Sequence, residues 1–361
     1  MYHRLSQNQR SMLSCRQVSI SYTVLGGPGE DNALHVVIDT GQSLHPLLFD
    51  CGEGCAARLR VSECQAIQHL CFSHFHMDHI AGFDTFFRHN FNRPEQPVNV
   101  WGPEQTIDVM HHRFRGFSWN LHDGQPGEWR VREIQETAIK EAAFFTTEAF
   151  AKAHTHAGDD KNLATQQSCS RVLVDDAAFQ LQAFILNHGT TPSIAYRIVE
   201  PERRNIDPAR LSDLGFKPGP WLSKVTDAAV SDDESVIVDN VTHRIGDLRE
   251  QLVVSRPGAS LAYLTDFALT EHDRAPVIQW LKGTDTLVCE AQYRHADAPL
   301  AAKNHHMTTQ LVGSLARDAE VGQLVLHHVS RRYTTTEWRE MLEEARAVFP
   351  NTSFPDGWRL E

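Results

Sequence analysis

Three histidines and an aspartate fall within S-H-F-H-M-D-H, residues 73–79. Imidazole is the commonest protein ligand for metal ions, and carboxylate is a second donor type that suits zinc, manganese or iron. A lone buried histidine is more often a hydrogen-bonded core residue than a ligand. Crowding reverses that expectation, because such groups repel one another or lie exposed unless a cation organises them. His74 and His76 form one candidate ligand pair, and Asp78 and His79 form another. Two pairs suit two neighbouring ions, an arrangement that lowers the pKa of water and neutralises charge that develops during hydrolysis.

These groups cannot saturate two ions, so further donors must come from elsewhere in the chain. Three places offer them, each at the end of an apolar run: His188 after F-I-L-N, Asp266 after L-A-Y-L-T, and His327 or His328 after Q-L-V-L. Open α/β sheets gather their active-site residues at such strand ends. A second His-x-His, in A-H-T-H-A-G-D-D, brings His154, His156, Asp159 and Asp160 together, but no apolar strand precedes it. Gly and Asp surround it, so it reads as a solvated loop. His111 and His112 receive no role.

The elements that must position these groups are short. Apolar runs predict strands at Leu47–Phe49, His69–Phe72, Val98–Trp101, Val172–Val174, Phe179–Leu186, Leu261–Leu264, Thr286–Cys289 and Gln323–Leu326. Helical spacing predicts helices at Ile80–Arg88, Thr308–Ala319 and Thr334–Phe349, the last opened by a capping box of Thr334 and Glu337. S-H-F-H-M-D-H then becomes a loop between a strand and the helix near Ile80. Strands interspersed with helices predict an α/β layered fold. Lys140–Ser170 and Glu200–Asn240 read as surface excursions, the second too long for a routine connection.

Composition narrows the function classes. A formal charge of −12 argues against nonspecific coating of nucleic acid, which depends on Lys and Arg neutralising phosphates. Seven irregularly placed cysteines predict buried thiols and no disulfide framework. Met1–Ile20 lacks an apolar h-region and no run of eighteen apolar residues occurs, which predicts a cytoplasmic protein with no membrane span.

S-H-F-H-M-D-H-I-A-G resembles the signature of the metallo-β-lactamase fold. L-F-D-C-G-E-G (Leu48–Gly54), C-E-A-Q-Y (Cys289–Tyr293), H-M-T-T (His306–Thr309) and H-V-S-R-R-Y (His328–Tyr333) resemble, within that fold, the motifs of the tRNase Z family, endoribonucleases that trim the 3′ trailer of precursor tRNA. D-L-G-F-K-P-G-P-W-L-S-K resembles the end of that family's tRNA-gripping arm. The resemblance implies an αββα four-layer fold, two packed β-sheets between outer helices, as a single domain over residues 1–361 with an arm-like excursion at 200–240. It implies that His74, His76 and His188 hold one zinc ion, that Asp78, His79 and His328 hold another, and that Asp266 bridges them. His328 is preferred to His327 because it takes the motif position. Asp78 is then expected to orient the attacking water or accept its proton, and His306, held by Glu290, to protonate the leaving oxygen. Zn2+ is the expected metal, with Mn2+ or Fe2+ compatible with the same donors, and a homodimer is implied in which one subunit's arm serves the other.

The chain also departs from the family pattern. L-G-G-P-G-E-D-N-A is acidic where the family carries basic residues, and L-T-D-F stands where G-D-T is usual. A phosphodiesterase for small esters such as cyclic nucleotides is therefore the alternative reading. A noncatalytic RNA-binding subunit is a third, although it would have no use for a complete donor set.

Overall fold

The apolar runs become strands of two seven-stranded sheets in the computed structural model, which describes residues 20–155, 170–227 and 229–358. The first sheet runs in chain order through β1 (Ile20–Leu25), β2 (Ala33–Asp39), β3 (Leu44–Phe49), β4 (His69–Cys71), β5 (Val98–Gly102), β6 (Glu128–Ile134) and β7 (Ile139–Phe145). Strands β3 to β6 are parallel, and antiparallel pairs close both sides. The chain continues through β8 (Ser170–Asp175), β9 (Gln180–His188) and β10 (Thr191–Val199). After β11 (Arg203–Ile206), β12 (Ser235–Val238), β13 (Val241–Arg244) and β14 (Val253–Arg256) come β15 (Ser260–Leu264), β16 (Thr286–Glu290), β17 (Gln323–His327) and β18 (Thr352–Ser353). The second sheet has the order β18-β17-β16-β15-β10-β9-β8, with β15 to β18 parallel.

Side chains alternate across a strand, so each sheet has two different faces. One face of the first sheet sends Leu48, Leu70, Val98, Val100 and Val131 into a core with Phe83, Phe87, Met110 and Phe114 from the helices Phe83–Asn90 and Thr106–Arg115. From the other face, Phe49 meets Tyr196 and Tyr263 of the second sheet, with ring centroids 5.4 and 5.8 Å apart. The far side of the second sheet packs Leu264, Leu287 and Leu324 against Val277, Leu315 and Met341 of its own helices. Each fully buried Leu or Phe contributes about 1.5–3 kcal/mol, so both helix layers are firmly held. The result is the expected order of helix, sheet, sheet, helix.

Several expectations need correction. Strands β1, β2, β6, β7 and β10 lie outside the predicted runs; β6, E-W-R-V-R-E-I, buries alternate residues, and its charged positions break up the apolar run. Lys140–Ser170 does not begin as a surface excursion, because β7 is the edge of the first sheet and Phe144 and Phe150 are fully buried. The predicted helix Ile80–Arg88 is two helices, Met77–Ile80 and Phe83–Asn90. The helix Thr335–Val348 carries the predicted capping box. The five described cysteines are buried and free. No helix among the described residues is long and apolar enough to cross a membrane.

The chain divides into two compact units, the larger containing both sheets and the smaller built chiefly from residues 199–258. Within the smaller unit, β11 pairs with β14 and β12 with β13. Leu211, Trp221, Val225, Val238, Ile245 and Leu248 give it a core of its own.

Candidate metal centre

Strand β4 ends at Cys71, and the next residues turn across the top of the first sheet. His74 and His76 lie in that turn, whereas Asp78 and His79 belong to the short helix Met77–Ile80 and not to the loop that the spacing predicts. The helix stops where Gly82 N–H donates to the Cys51 carbonyl at 2.9 Å. A Cβ at residue 82 would lie 2.1 Å from the Gly52 carbonyl oxygen, so glycine is required by close approach of two backbones. The second pair of donors is thereby pinned against the loop after β3.

That loop begins with Asp50, fully buried behind the histidines. Its carboxylate accepts from Ser73 N–H (2.7 Å), Ser73 Oγ (2.8 Å) and His79 Nδ1–H (2.9 Å). His79 therefore turns Nε2 forward. The same logic orients two more rings: His74 Nδ1 lies 3.0 Å from Ser73 Oγ, and His188 Nδ1–H donates to the His305 carbonyl at 2.9 Å. Fixing one ring nitrogen in this way presents the other to a metal.

All seven predicted donors converge. His74, His76, His188 and Asp266 form one set whose donor atoms lie within 4.8 Å of one another, and Asp78, His79, Asp266 and His328 form a second. Asp266 belongs to both. Its Oδ2 lies 3.7 Å from His74 Nε2, 3.4 Å from His79 Nε2 and 3.9 Å from His188 Nε2, while Oδ1 is 3.2 Å from His328 Nδ1. Asp78 Oδ2 is 3.3 Å from His328 Nε2 and 3.6 Å from His79 Nε2. His327, the other residue-level choice, stays in strand β17 with Nε2 3.2 Å from the Leu264 carbonyl and its ring stacked on Tyr263.

The electrostatics fit cations. His74 and His79 are buried, yet their Nε2 atoms have no hydrogen-bond partner among the described residues. Such an orphan is costly unless something else meets it. Burial, and then the His79 charge beside it, pushes His74 below the usual imidazole range, which leaves a lone pair for coordination. Burial also opposes charge on Asp266, but His328 and His79 outweigh it and hold the carboxyl well below its usual range. Conversely, burial disfavours charge on His79 and His328, yet Asp266 overcomes it and raises both. Asp266 thus demands positive charge on its surroundings, and divalent ions supply it.

Beside the second set, His306 Nδ1 is 3.1 Å from Glu290 Oε2, and Glu290 is fully buried. Burial works against a charged imidazole there, but the Glu290 carboxylate pushes His306 up to about 9. A cleft of about 440 Å³ opens over Asp78 and His328, lined also by Asp31, Glu53, Met77, Gln292 and Arg331. A larger groove of about 870 Å³, lined by His35, Arg60, His89 and Arg93 among others, shares no residue with the donor sets.

Several supporting residues escape the spacing argument. Asp50 sits inside L-F-D-C-G-E-G and follows a strand, the same signal that marks Asp266. Asn32, in the acidic segment, accepts from His328 N–H at 3.0 Å through its side-chain oxygen. Asp50, Asp266 and His328 all have positive φ, at 57°, 46° and 50°. Such left-handed non-glycine residues cluster where function over-determines the backbone. His154 pairs with Glu148 at 2.6 Å and joins no donor set, while His156, Asp159 and Asp160 lie outside the described residues.

Comparison with known proteins follows the same lines. Residues 45–184 match the Beta-lactamase superfamily domain. The chain is 41% identical to Ribonuclease Z of Deinococcus radiodurans, covering 94% of this chain and 98% of that protein. It is 26% identical to Ribonuclease Z of Prochlorococcus marinus over 89% of each chain. Among solved structures, the short form of human tRNase Z aligns with a TM-score of 0.50 at 16% identity, covering 94% of this chain and 97% of that one. The metallo-beta-lactamase fold protein YhfI of Bacillus subtilis aligns with a TM-score of 0.53 at 15% identity, covering 93% and 95%.

Proposed function

The chain belongs to the ribonuclease Z family of metal-dependent endonucleases that process the 3′ end of precursor tRNA, and from that membership we propose that it removes the 3′ trailer by hydrolysis at the centre described above. His74, His76 and His188 would hold one divalent ion and Asp78, His79 and His328 a second, with Asp266 available to both donor sets. Bound there, the ions supply Lewis acidity, bringing the pKa of water towards neutrality and offsetting charge that develops on the phosphate. The convergence of the Asp266 carboxylate with four imidazoles at 3.2–3.9 Å carries this reading.

The chain's own groups handle the protons. Asp78 is the one carboxylate of the set open to the cleft, its side chain 43% exposed. Partial burial opposes its charge, but the His328 hydrogen bond and the His79 charge hold it below the usual carboxylate range. It stays ionised and orients the attacking water or accepts its proton. The water oxygen bonds to phosphorus, and the bond to the upstream 3′ oxygen breaks. His306, with Nδ1 engaged by Glu290, delivers a proton from Nε2 to that leaving oxygen and yields a 3′-hydroxyl.

Zinc fits the imidazole and carboxylate donors, as do manganese and iron, and metal analysis of the purified protein distinguishes them. The family membership further supports a homodimer in which the unit around residues 199–258 of one subunit grips the RNA bound to the other; sedimentation at several concentrations tests this. Single-turnover cleavage of a precursor tRNA, compared with a cyclic nucleotide after chelation and after metal return, tests the main reading. Metal-dependent cleavage of the precursor at the trailer junction is expected. Turnover of the cyclic nucleotide alone would transfer the proposal to small phosphodiesters.

A further inference from the structure

Asp50 receives one more hydrogen bond, and it comes from the other sheet. Tyr263 O–H donates to Asp50 Oδ2 at 2.9 Å, and both residues are almost fully buried. The other donors to this carboxylate, Ser73 and His79, stand on the first-sheet side of the site. Tyr263 lies on β15, three residues before Asp266. One phenolic proton thus joins the anion that orients His79 to the strand that delivers the carboxylate shared by both donor sets.

The tyrosine ring has little freedom to do anything else. It stacks on His327 with centroids 5.0 Å apart at 27°, and His327 is itself anchored to the Leu264 carbonyl. It also tilts against Phe49, with centroids 5.8 Å apart. A phenol has one proton to give, and the packing aims it at Asp50.

We propose that Tyr263 is a positioning residue which, through Asp50, holds the His79 imidazole in register with Asp266 and thereby sets the affinity of the second donor set for its ion. The inference rests on the dinuclear reading given above. Outer partners of metal-bound histidines tune affinity through ring orientation and basicity, commonly by about 10- to 100-fold. Tyr196 supplies an internal comparison. It is buried in the same layer against Phe49, but its hydroxyl donates to the Phe72 carbonyl at 2.7 Å and to no group of the centre.

The test is metal titration of the full chain with cobalt(II), read by visible absorption and by chelator competition, alongside kcat and KM on precursor tRNA. Wild type is expected to bind two ions. Tyr263→Phe should weaken one of them about 10- to 100-fold and lower kcat with KM little changed. Tyr196→Phe should bind both as wild type does. In an Asp50→Asn background, adding Tyr263→Phe should cost little further, since the effect runs through that carboxylate. Equal behaviour of the two tyrosine variants, additive losses in the double variant, or a Tyr263→Phe chain that does not fold would overturn the proposal. A wild-type chain that binds no ion pair would instead remove the dinuclear reading on which it stands.

Discussion

Glu290 holds His306 with both carboxylate oxygens, Nδ1 lying 3.2 Å from Oε1 and 3.1 Å from Oε2. Glu290 Oε1 also accepts from Phe267 N–H at 2.8 Å, which ties the acid on His306 to the residue after Asp266. His306 and the carboxylate shared by both donor sets are therefore tied to one buried group. His306→Gln is expected to lower kcat on precursor tRNA by about 10²- to 10⁴-fold, the usual contribution of a positioned proton donor. The same variant should lose little on bis-p-nitrophenyl phosphate, whose leaving group departs without a proton. Equal losses on both substrates would show that His306 does something other than protonate the leaving oxygen.

Asp266→Asn keeps the shape of the side chain and removes its charge. Four imidazoles then lose their common counter-charge, and both donor sets lose a member. Turnover should fall by at least about 10²- to 10³-fold, the scale of losing one preset electrostatic group. Metal content measured after gel filtration should fall with it. Full metal occupancy in an inactive variant would confine Asp266 to the chemical step.

Much of this centre is visible in the sequence because buried parallel strands read as unbroken apolar runs. β15 is buried at every position, β16 and β17 at all but the first, and their ends lead directly to Asp266, Glu290 and His328. His327 and His328 are indistinguishable by composition. The difference is geometric: His327 is still paired across the sheet with Glu290, and the chain turns out of the strand one residue later. Asp50 has no spacing signal towards His79, since the two are separated by 29 positions and meet only once β3 and β4 lie side by side. β6 is hidden for a different reason. Its arginines and glutamates alternate with buried Trp129 and Val131, and one of them, Arg132, pairs with Glu141 of the neighbouring strand β7 at 2.5 Å.

Gly82→Ala tests whether the break between the two short helices matters. The new methyl would meet the Gly52 carbonyl oxygen at 2.1 Å and force the loop after β3 away from Asp78 and His79. Overpacking of this kind costs about 1–3 kcal/mol. A lower urea midpoint is expected together with weaker metal retention, because both donors sit one turn upstream. A loss of stability with normal metal binding would separate the glycine from the centre.

His69 provides a pH prediction away from the two donor sets. Trp101 Nε1–H donates to its Nδ1 at 3.1 Å, and the Arg132 guanidinium lies 4.5 Å from the Trp101 ring centre. Burial first, and then the Arg132 charge, push His69 down from 6.5 to about 4. The folded state therefore keeps this ring neutral where the unfolded chain has begun to take up a proton. Stability from this group is complete above about 6.5 and is lost progressively as pH falls towards about 4. His69→Gln can still accept from Trp101 but cannot titrate. The drop in urea midpoint between pH 7 and pH 5 should be smaller in that variant than in wild type, and because loss of metal in acid affects both proteins alike, the comparison isolates the ring. An identical drop in the two proteins would mean that His69 is protonated in the fold as readily as in the unfolded chain.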